Sequence, residues 1–308
     1  MGAPRLSVLI PTWNGEAELR ALLPALVECE GADELELVAI DSSSSDRSVE
    51  LLREHGARVE VIPQSEFGHG RTRNRLAEQA RGELLVFLSQ DVVPGPGLVR
   101  HLAAPFDDPR VAGASARVLP FSGDDPLATR TVLDLHEASE QAVVRDLDHV
   151  AGIWELAPAE RGAYLRFNNV ASAIRADVFR ELPFPDVSFG EDFAWAARAL
   201  TAGWRVAYAP AAVAHHAHAY GMGSAFRRYR IDAEFHAQIH GWRLRPSLLS
   251  AARGALYEIR RDLEWLGRER PRGALGALLR SPGLRVAQVL GQYAGSRGTG
   301  PRVWRGSA

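Results

Sequence analysis

The chain is 308 residues long, 46% hydrophobic and 24% charged, the composition of a globular protein with room for one sizeable core and an appendage. No apolar run approaches the roughly 20 residues that cross a bilayer, and the lone Cys29 excludes an intramolecular disulfide and a cysteine-built zinc site. The net charge of -2 conceals an asymmetry: residues 241–308 carry 13 Arg against four acids, a balance of +9, while the preceding 240 residues balance at -11. A basic tail on an acidic body calls for an anionic neighbour. All 36 basic residues are Arg, which reflects genomic base composition rather than function. The chain enters strand-like sequence at Leu6 with no charged-then-apolar leader, and one cysteine makes a reducing cytoplasm the expected compartment.

In chain order, the apolar runs Leu6–Ile10, Leu35–Ile40, Val59–Ile62 and Leu84–Leu88 predict buried strands. Between them Glu16–Cys29, Asp46–His55 and Gly70–Ala80 have apolar residues at helical spacing. Such alternation predicts a mostly parallel sheet with helices on both faces, and in such sheets ligands bind beyond the carboxyl ends of the strands. Val111–Leu119 predicts a further strand, Asp125–Arg145 an irregular helical excursion, and Ala151–Tyr164 a flexible loop. Residues 166–176 read as a strand leading into a short helix, and Phe189–Ala202 as a helix stopped by Gly203. Val206–Tyr208 and Val213–His215 predict two short strands. Three helical stretches follow from Ser224, broken at Pro246 and Pro271. The expected division is a domain over 1–240 and a basic helical extension over 241–308.

The polar residues cluster just after the strands. Asp41 ends the second strand and is placed to accept hydrogen bonds from a base or ribose, while Ser42–Ser45 and the next helix start offer donors to anionic oxygens; Ser45 or Asp46 also serves as a helix cap. Asp91, at the exit Ser89-Gln90-Asp91, sits where a divalent ion bridging a diphosphate is held; the competing role, capping the helix after Gly97, has six residues of loop in the way. Glu191-Asp192 opens a helix, where the dipole favours acids, and where one acid can instead take a proton from an attacking hydroxyl. As neighbours they point in different directions, so only one can face a substrate. His216 and His218 share a face if the strand continues, suited to a metal or a phosphate or simply to structure. Glu66–Asn74 combines two glycines with Arg71 and Arg73, which reach a nucleotide or line a solvated helix face.

Taken in this order, Val8–Asn14, Asp41–Asp46, Arg73-Asn74, Ser89–Asp91 and Glu191-Asp192 resemble the family 2 glycosyltransferases, which have the GT-A fold. The resemblance spans about residues 5–232 and is specific as a set. Within the family the chain looks closest to rhamnosyltransferases, through EFGHGRTRN (66–74), FLSQD (87–91), NNVASAIR (168–175) and the run 183–220. The resemblance implies that Pro11, Thr12, Asn14, Asp41, Ser43, Arg73 and Gln90 line the nucleotide pocket. It implies that Asp91 is the last acid of the metal-binding motif, that Asp192 is the catalytic base with Glu191 beside it, and that His216 and His218 face the metal or diphosphate. Ser89 stands where the motif's first acid is usual, leaving Asp91 as its only carboxylate.

The implied activity is inverting transfer of a sugar, rhamnose by likeness, from a dTDP- or UDP-linked donor to a cell-surface glycan or lipid-linked acceptor, with Mg2+ or Mn2+. No nucleic-acid partner is expected. Residues Leu248–Leu266 and Ala274–Leu290 mix Leu, Ala, Tyr and Trp with Arg, as an interfacial helix does, or as a helical cap or dimer contact does. Two rival classes are set against this reading. A sugar nucleotidyltransferase needs a Gly-rich phosphate loop after its first strand, where this chain reads Thr12-Trp13-Asn14-Gly15. A non-catalytic nucleotide-sugar-binding protein is favoured by Ser89 alone.

Overall fold

The computed structural model describes residues 6–29, 35–187, 189–239 and 241–297, so the last stretch of the basic extension, 298–308, lies outside the described residues. In chain order the elements are β1 (Leu6–Thr12), α1 (Glu16–Val27), β2 (Leu35–Asp41), α2 (Ser48–Glu54), β3 (Arg58–Val61), α3 (His69–Gln79), β4 (Leu84–Leu88), β5 (Val93–Pro94), α4 (Leu98–Ala103) and β6 (Val111–Leu119). They continue with α5 (Pro126–Leu133), β7 (Val143–Arg145), α6 (Pro158–Tyr164), β8 (Ala171–Arg175), α7 (Ala176–Glu181), α8 (Glu191–Thr201), β9 (Arg205–His215), α9 (Met222–Ile239), α10 (Leu248–Glu269) and α11 (Ala274–Ser296).

The chain falls into two compact units. The first takes in the chain up to Leu119 with His136–Glu155 and Tyr164–His216; the second takes in Pro120–Leu135, Leu156–Ala163 and the chain from Ala217 onward. The helical unit thus recruits more of the chain than residues 241–308, because α5 and α9 pack with α10 and α11.

The first unit is a nine-stranded mixed sheet in the order β3-β2-β1-β4-β8-β6-β9-β5, with β7 on β9. β1 to β4 run parallel, β8 enters antiparallel beside β4, and β6 and β9 resume the direction of the first four. The carboxyl ends of β1, β2, β4, β6 and β9 therefore share one edge with the start of β8. Strands buried on both faces explain the unbroken apolar runs: Val8, Leu9, Ile10, Phe87 and Leu88 are fully buried. Helix α1 buries Leu19, Leu22, Leu23 and Leu26, the spacing of one helical face, and carries Glu16 and Glu18 in its first turn, where the dipole favours acids.

Three expectations change. Val206–Tyr208 and Val213–His215 are one strand, β9, whose register on β6 jumps between Ala209 and Val213. Pro210 lies in that jump, and a residue without an N–H is tolerated where a bulge interrupts the ladder. The expected loop Ala151–Tyr164 contains α6. The excursion Asp125–Arg145 resolves into α5, capped by the Asp125 carboxylate on the N–H groups of Leu127 and Ala128, and β7.

In the second unit, α9 and α11 cross with their backbones in contact. A Cβ on Gly295 would sit 2.2 Å from the Arg230 carbonyl oxygen and one on Gly291 2.4 Å from that of Phe226, so only glycine fits at either place. A buried ion cluster ties α5, α10 and α11 together. Asp262 on α10 is fully buried and accepts from Arg285 Nε and an Nη at 2.8 Å, from Ser281 Oγ, and pairs with Arg130. Burial pushes its carboxyl upward, but the Arg285 and Ser281 hydrogen bonds and both guanidinium charges outweigh this and hold it below the ordinary aspartate value. Because the folded pKa is depressed, this stabilisation is complete above the unfolded value near 3.9 and is lost as pH falls through the lower folded one. Removing one partner of a buried pair strands the other's charge. Asp262→Ala is therefore expected to lower unfolding stability by about 3–5 kcal/mol, measured by urea titration at neutral pH; a change within about 0.5 kcal/mol, the range of ordinary surface substitutions, refutes it.

Candidate active site

The polar residues picked out by the sequence lie along the edge where the strands end. Thr12 and Asp41 are direct neighbours in the β1–β2 ladder, both buried, and the Ser42 N–H donates to the Thr12 carbonyl at 2.8 Å. The Asp41 carboxylate turns the following loop back on itself, accepting from the Ser44 N–H at 2.8 Å and from the Ser44 hydroxyl. Asn14 joins this loop from β1: its N–H donates to Ser44 Oγ at 2.7 Å and its side-chain oxygen accepts from the Ser45 N–H at 2.8 Å. Both Asn14 and Ser43 have positive φ, 44° and 62°, and Asn is among the residues that tolerate this region best. The Ser43 hydroxyl donates to the Ile62 carbonyl at 2.8 Å. Asp46, read as a cap, serves two helices, with one carboxylate oxygen on the Glu16 N–H and the other on Ser48.

Pro11 is half-buried at the end of β1. Gln90 fixes the segment that follows, its side-chain oxygen accepting from the Trp13 N–H at 2.8 Å and its amide donating to the Trp13 carbonyl at 3.2 Å. Asp91 comes next and is not a cap for α4, whose N-cap is Gly97 with no side-chain cap. Its carboxylate lies 3.4 Å from His216 Nε2, and the His216 N–H donates to the Leu119 carbonyl, which holds the residue against the end of β6. The strand stops at His215, so the alternation expected for His216 and His218 does not apply. His218 stands two residues further along, in the sequence of the second unit.

Glu191 and Asp192 open α8 after Gly190, whose φ of 77° is a left-handed turn that glycine adopts without strain. They diverge. Glu191 is buried and points inward, its Oε1 accepting from an Arg73 Nη at 2.9 Å and from the Asn169 side-chain amide at 3.3 Å. Arg73, expected at the nucleotide, is itself buried against Glu191, because a carboxylate withdrawn from water requires a counter-charge. Asp192 is half-buried and accepts from the backbone N–H groups of Phe193 at 2.9 Å and Asn169 at 3.3 Å. Burial, then the charge of Glu191, push its carboxyl up to about 7, against the pull of the two N–H groups and Arg73.

Asn169 is the participant that the sequence reading left without a role. Its backbone meets Asp192, its amide meets Glu191, and its oxygen accepts from Ser172 Oγ at 2.9 Å. The only signal was two asparagines ahead of an apolar strand. Through Asn169 the acid pair connects to the Asp91 loop, since the adjacent Val170 carbonyl accepts from the Ser89 N–H at 3.0 Å. Hydrogen bonds, ladder contacts and peptide bonds thus connect Asp41 through Thr12, Trp13 and Gln90 to Asp91, and Ser89 through Val170 and Asn169 to Asp192.

Comparison with known proteins agrees with this geometry. The family model described as glycosyl transferase family 2 matches residues 7–157, ending before the acid pair and His216. The O-antigen chain rhamnosyltransferase RfbN of Salmonella typhimurium is 30% identical over 239 residues, 76% of this chain and 73% of the relative; WbaN of Salmonella anatum, of the same description, is 30% identical over 240 residues with the same coverage. Among solved structures, the mannosyltransferase PcManGT from Pyrobaculum calidifontis, in complex with GDP-Man and Mn2+, superimposes with a TM-score of 0.56 at 18% identity, covering 93% of this chain and 86% of that one. Residues 1–349 of S. aureus TarS with UDP-GlcNAc give 0.53 at 17% identity, covering 92% and 90%. The sheet with helices on both sides, the C-terminal helices and these neighbours define the GT-A fold. The chain belongs to glycosyl transferase family 2 and is a glycosyltransferase of the rhamnosyltransferase-like kind.

An acid whose folded pKa is raised costs stability wherever it is forced to ionise. The folded state binds the extra proton between the unfolded value near 3.9 and the folded value of about 7, so stability falls as pH rises across that window. Asp192→Asn is expected to raise Tm at about pH 8 and to confer no comparable gain near pH 4. Thermal melts at both pH values check this, and an equal gain at both contradicts it.

Proposed function

We propose that the protein is an inverting rhamnosyltransferase in which Asp192 is the general base. The observation that carries this is the divergence of the acid pair: Glu191 is committed to Arg73, while Asp192 stays partly exposed with a carboxyl near neutrality. A base with a pKa of about 7 is partly ionised at neutral pH and, once ionised, accepts a proton effectively. Asp192 removes the proton from an acceptor hydroxyl, whose oxygen attacks the anomeric carbon from the face opposite the departing nucleoside diphosphate. The diphosphate leaves as an anion, so one base suffices.

The nucleoside diphosphate is assigned to the ends of β1 and β2. The hydroxyls of Thr12 and Ser42 are buried there without a hydrogen-bond partner among the described residues, which supports a polar ligand at that place. By likeness to the Salmonella rhamnosyltransferases the transferred sugar is rhamnose; following the family resemblance, the proposed donor is dTDP-rhamnose, with a UDP-sugar as the second choice, and the proposed acceptor is a glycan or lipid-linked saccharide.

Asp91 and His216 supply ligands for a divalent cation, and the family resemblance adds His218. The 3.4 Å between the Asp91 oxygen and His216 Nε2 is close to the separation, about 3.0–3.4 Å, of two ligands bound at roughly 2.1 Å to one ion. The Asp91 carboxylate and the diphosphate oxygens suit Mg2+ or Mn2+. When bound, the ion offsets the negative charge that develops on the diphosphate.

Purified Asp192→Asn is expected to lose about 10²–10⁴-fold in kcat, and the wild-type rate to rise with pH through about 7 as the carboxyl ionises. Nucleoside diphosphate release measures both, and near-wild-type turnover by the variant removes Asp192 from this role. Asp91→Ala and His216→Ala are expected to raise the Mn2+ concentration for half-maximal activity by at least about tenfold; an unchanged metal requirement removes them from the ligand set.

A further inference from the structure

Of the twenty large apolar side chains that stand exposed among the described residues, ten lie on α10 and α11. On α10, Leu249, Leu256 and Leu263 are spaced by seven residues, two helical turns, and so fall in one row about 21 Å long. Arg253 and Arg260 stand exposed between them, each four residues after a leucine and on the same face. Leu256 is 69% exposed. On α11, Leu275, Leu279, Val286 and Leu290 form a second exposed row, with Leu275 and Leu279 at 72% and 76%.

The charge around these rows is one-sided. Helix α11 contains no acid. On α10, Asp262 is sequestered in the buried cluster and Glu258 pairs with Arg130, while Glu264 and Glu269 are matched by Arg260 and Arg268. Arg253, Arg270 and Arg272 remain exposed and make no ion pair among the described residues. Folding thus turns Asp262 and Glu258 toward Arg130 and leaves outside the leucines, the unpaired arginines and the exposed pairs Arg260–Glu264 and Arg268–Glu269.

We propose that the α10 and α11 leucine rows are a docking surface for an anionic lipid bilayer, with the leucines entering the acyl boundary and the arginines meeting the headgroups. This goes beyond the transfer reaction, and it specifies which residues make the contact. Arginine suits the role because its stem stays in apolar surroundings while its charge reaches the interface. A second copy of the chain is the weaker occupant, since a two-fold contact brings together two copies of the same positively charged face. The helices lie on the bilayer rather than cross it, as no helix among the described residues is long and apolar enough to span.

The test is sedimentation of the full chain with vesicles of phosphatidylglycerol and phosphatidylcholine, against vesicles of phosphatidylcholine alone. Binding is expected to the anionic vesicles and to weaken with salt. It is expected to fall at least about tenfold in Leu256→Glu/Leu263→Glu, and also in Arg253→Gln/Arg260→Gln. These residues are exposed, so helix content by circular dichroism should be unchanged, as should nucleoside diphosphate release with a water-soluble acceptor. The latter separates failure of docking from failure of the proposed transferase chemistry. Failure of the wild type to sediment with anionic vesicles overturns the proposal. Undiminished binding by the leucine variant does so too, as does a self-association in solution that this variant abolishes while leaving vesicle binding intact.

Discussion

A carboxylate buried as deeply as that of Glu191 has to be met by a cation and a hydrogen-bond donor, and Arg73 and Asn169 supply both. The pair joins α3 to the first turn of α8, and Asn169 links that turn to the start of β8. With Glu191 anchored, the helix presents its next residue, Asp192, about 100° around the axis and toward partial exposure. Burial, and after it the charge of Glu191, raise the carboxyl next to it. One ion pair therefore sets the direction of the helix start and adds to the proton affinity of the acid that remains available.

The rest of the edge is organised by hydrogen bonds between loops rather than by apolar packing. Asp41 shapes its own loop through Ser44, Asn14 stitches that loop to β1, and Gln90 clamps the segment after β1 to the segment after β4. Several residues expected to touch a nucleotide, Asn14, Asp41, Ser43 and Gln90, have side chains engaged in this scaffold. A pocket for a polar ligand needs walls that do not collapse, and polar groups satisfied within the loops hold such walls in place. The hydroxyls of Thr12 and Ser42 are buried without a hydrogen-bond partner among the described residues, and the proposed nucleotide site draws on them.

The second unit is built on a different principle. Glycines let α9 and α11 approach to backbone contact, and an ion cluster around Asp262 locks α5, α10 and α11. That cluster uses two of the four acids in residues 241–308, so interior electrostatics and the positive charge of the outer surface have a common origin.

Much was legible before the fold was known. Apolar runs located the strands because a strand buried on both faces must be apolar throughout, and Leu84–Leu88 and Val111–Leu119 have the bounds expected of them. The carboxyl ends of the second and fourth strands pointed to Asp41 and Asp91, the start of a helix pointed to the acid pair, and spacing alone required the two acids to diverge. Sequence order could not say which acid faced inward, because the answer lies with Arg73, 118 residues away. Nor could it show Asn169 as a hub, β9 as one bulged strand, or α5 as part of the helical unit. By itself, then, the sequence determined where polar chemistry sits along the sheet edge, since local pattern dictates element type and direction. Only the tertiary structure decided which charges are buried and which leucines stay in water, since burial depends on what distant segments pack against each residue.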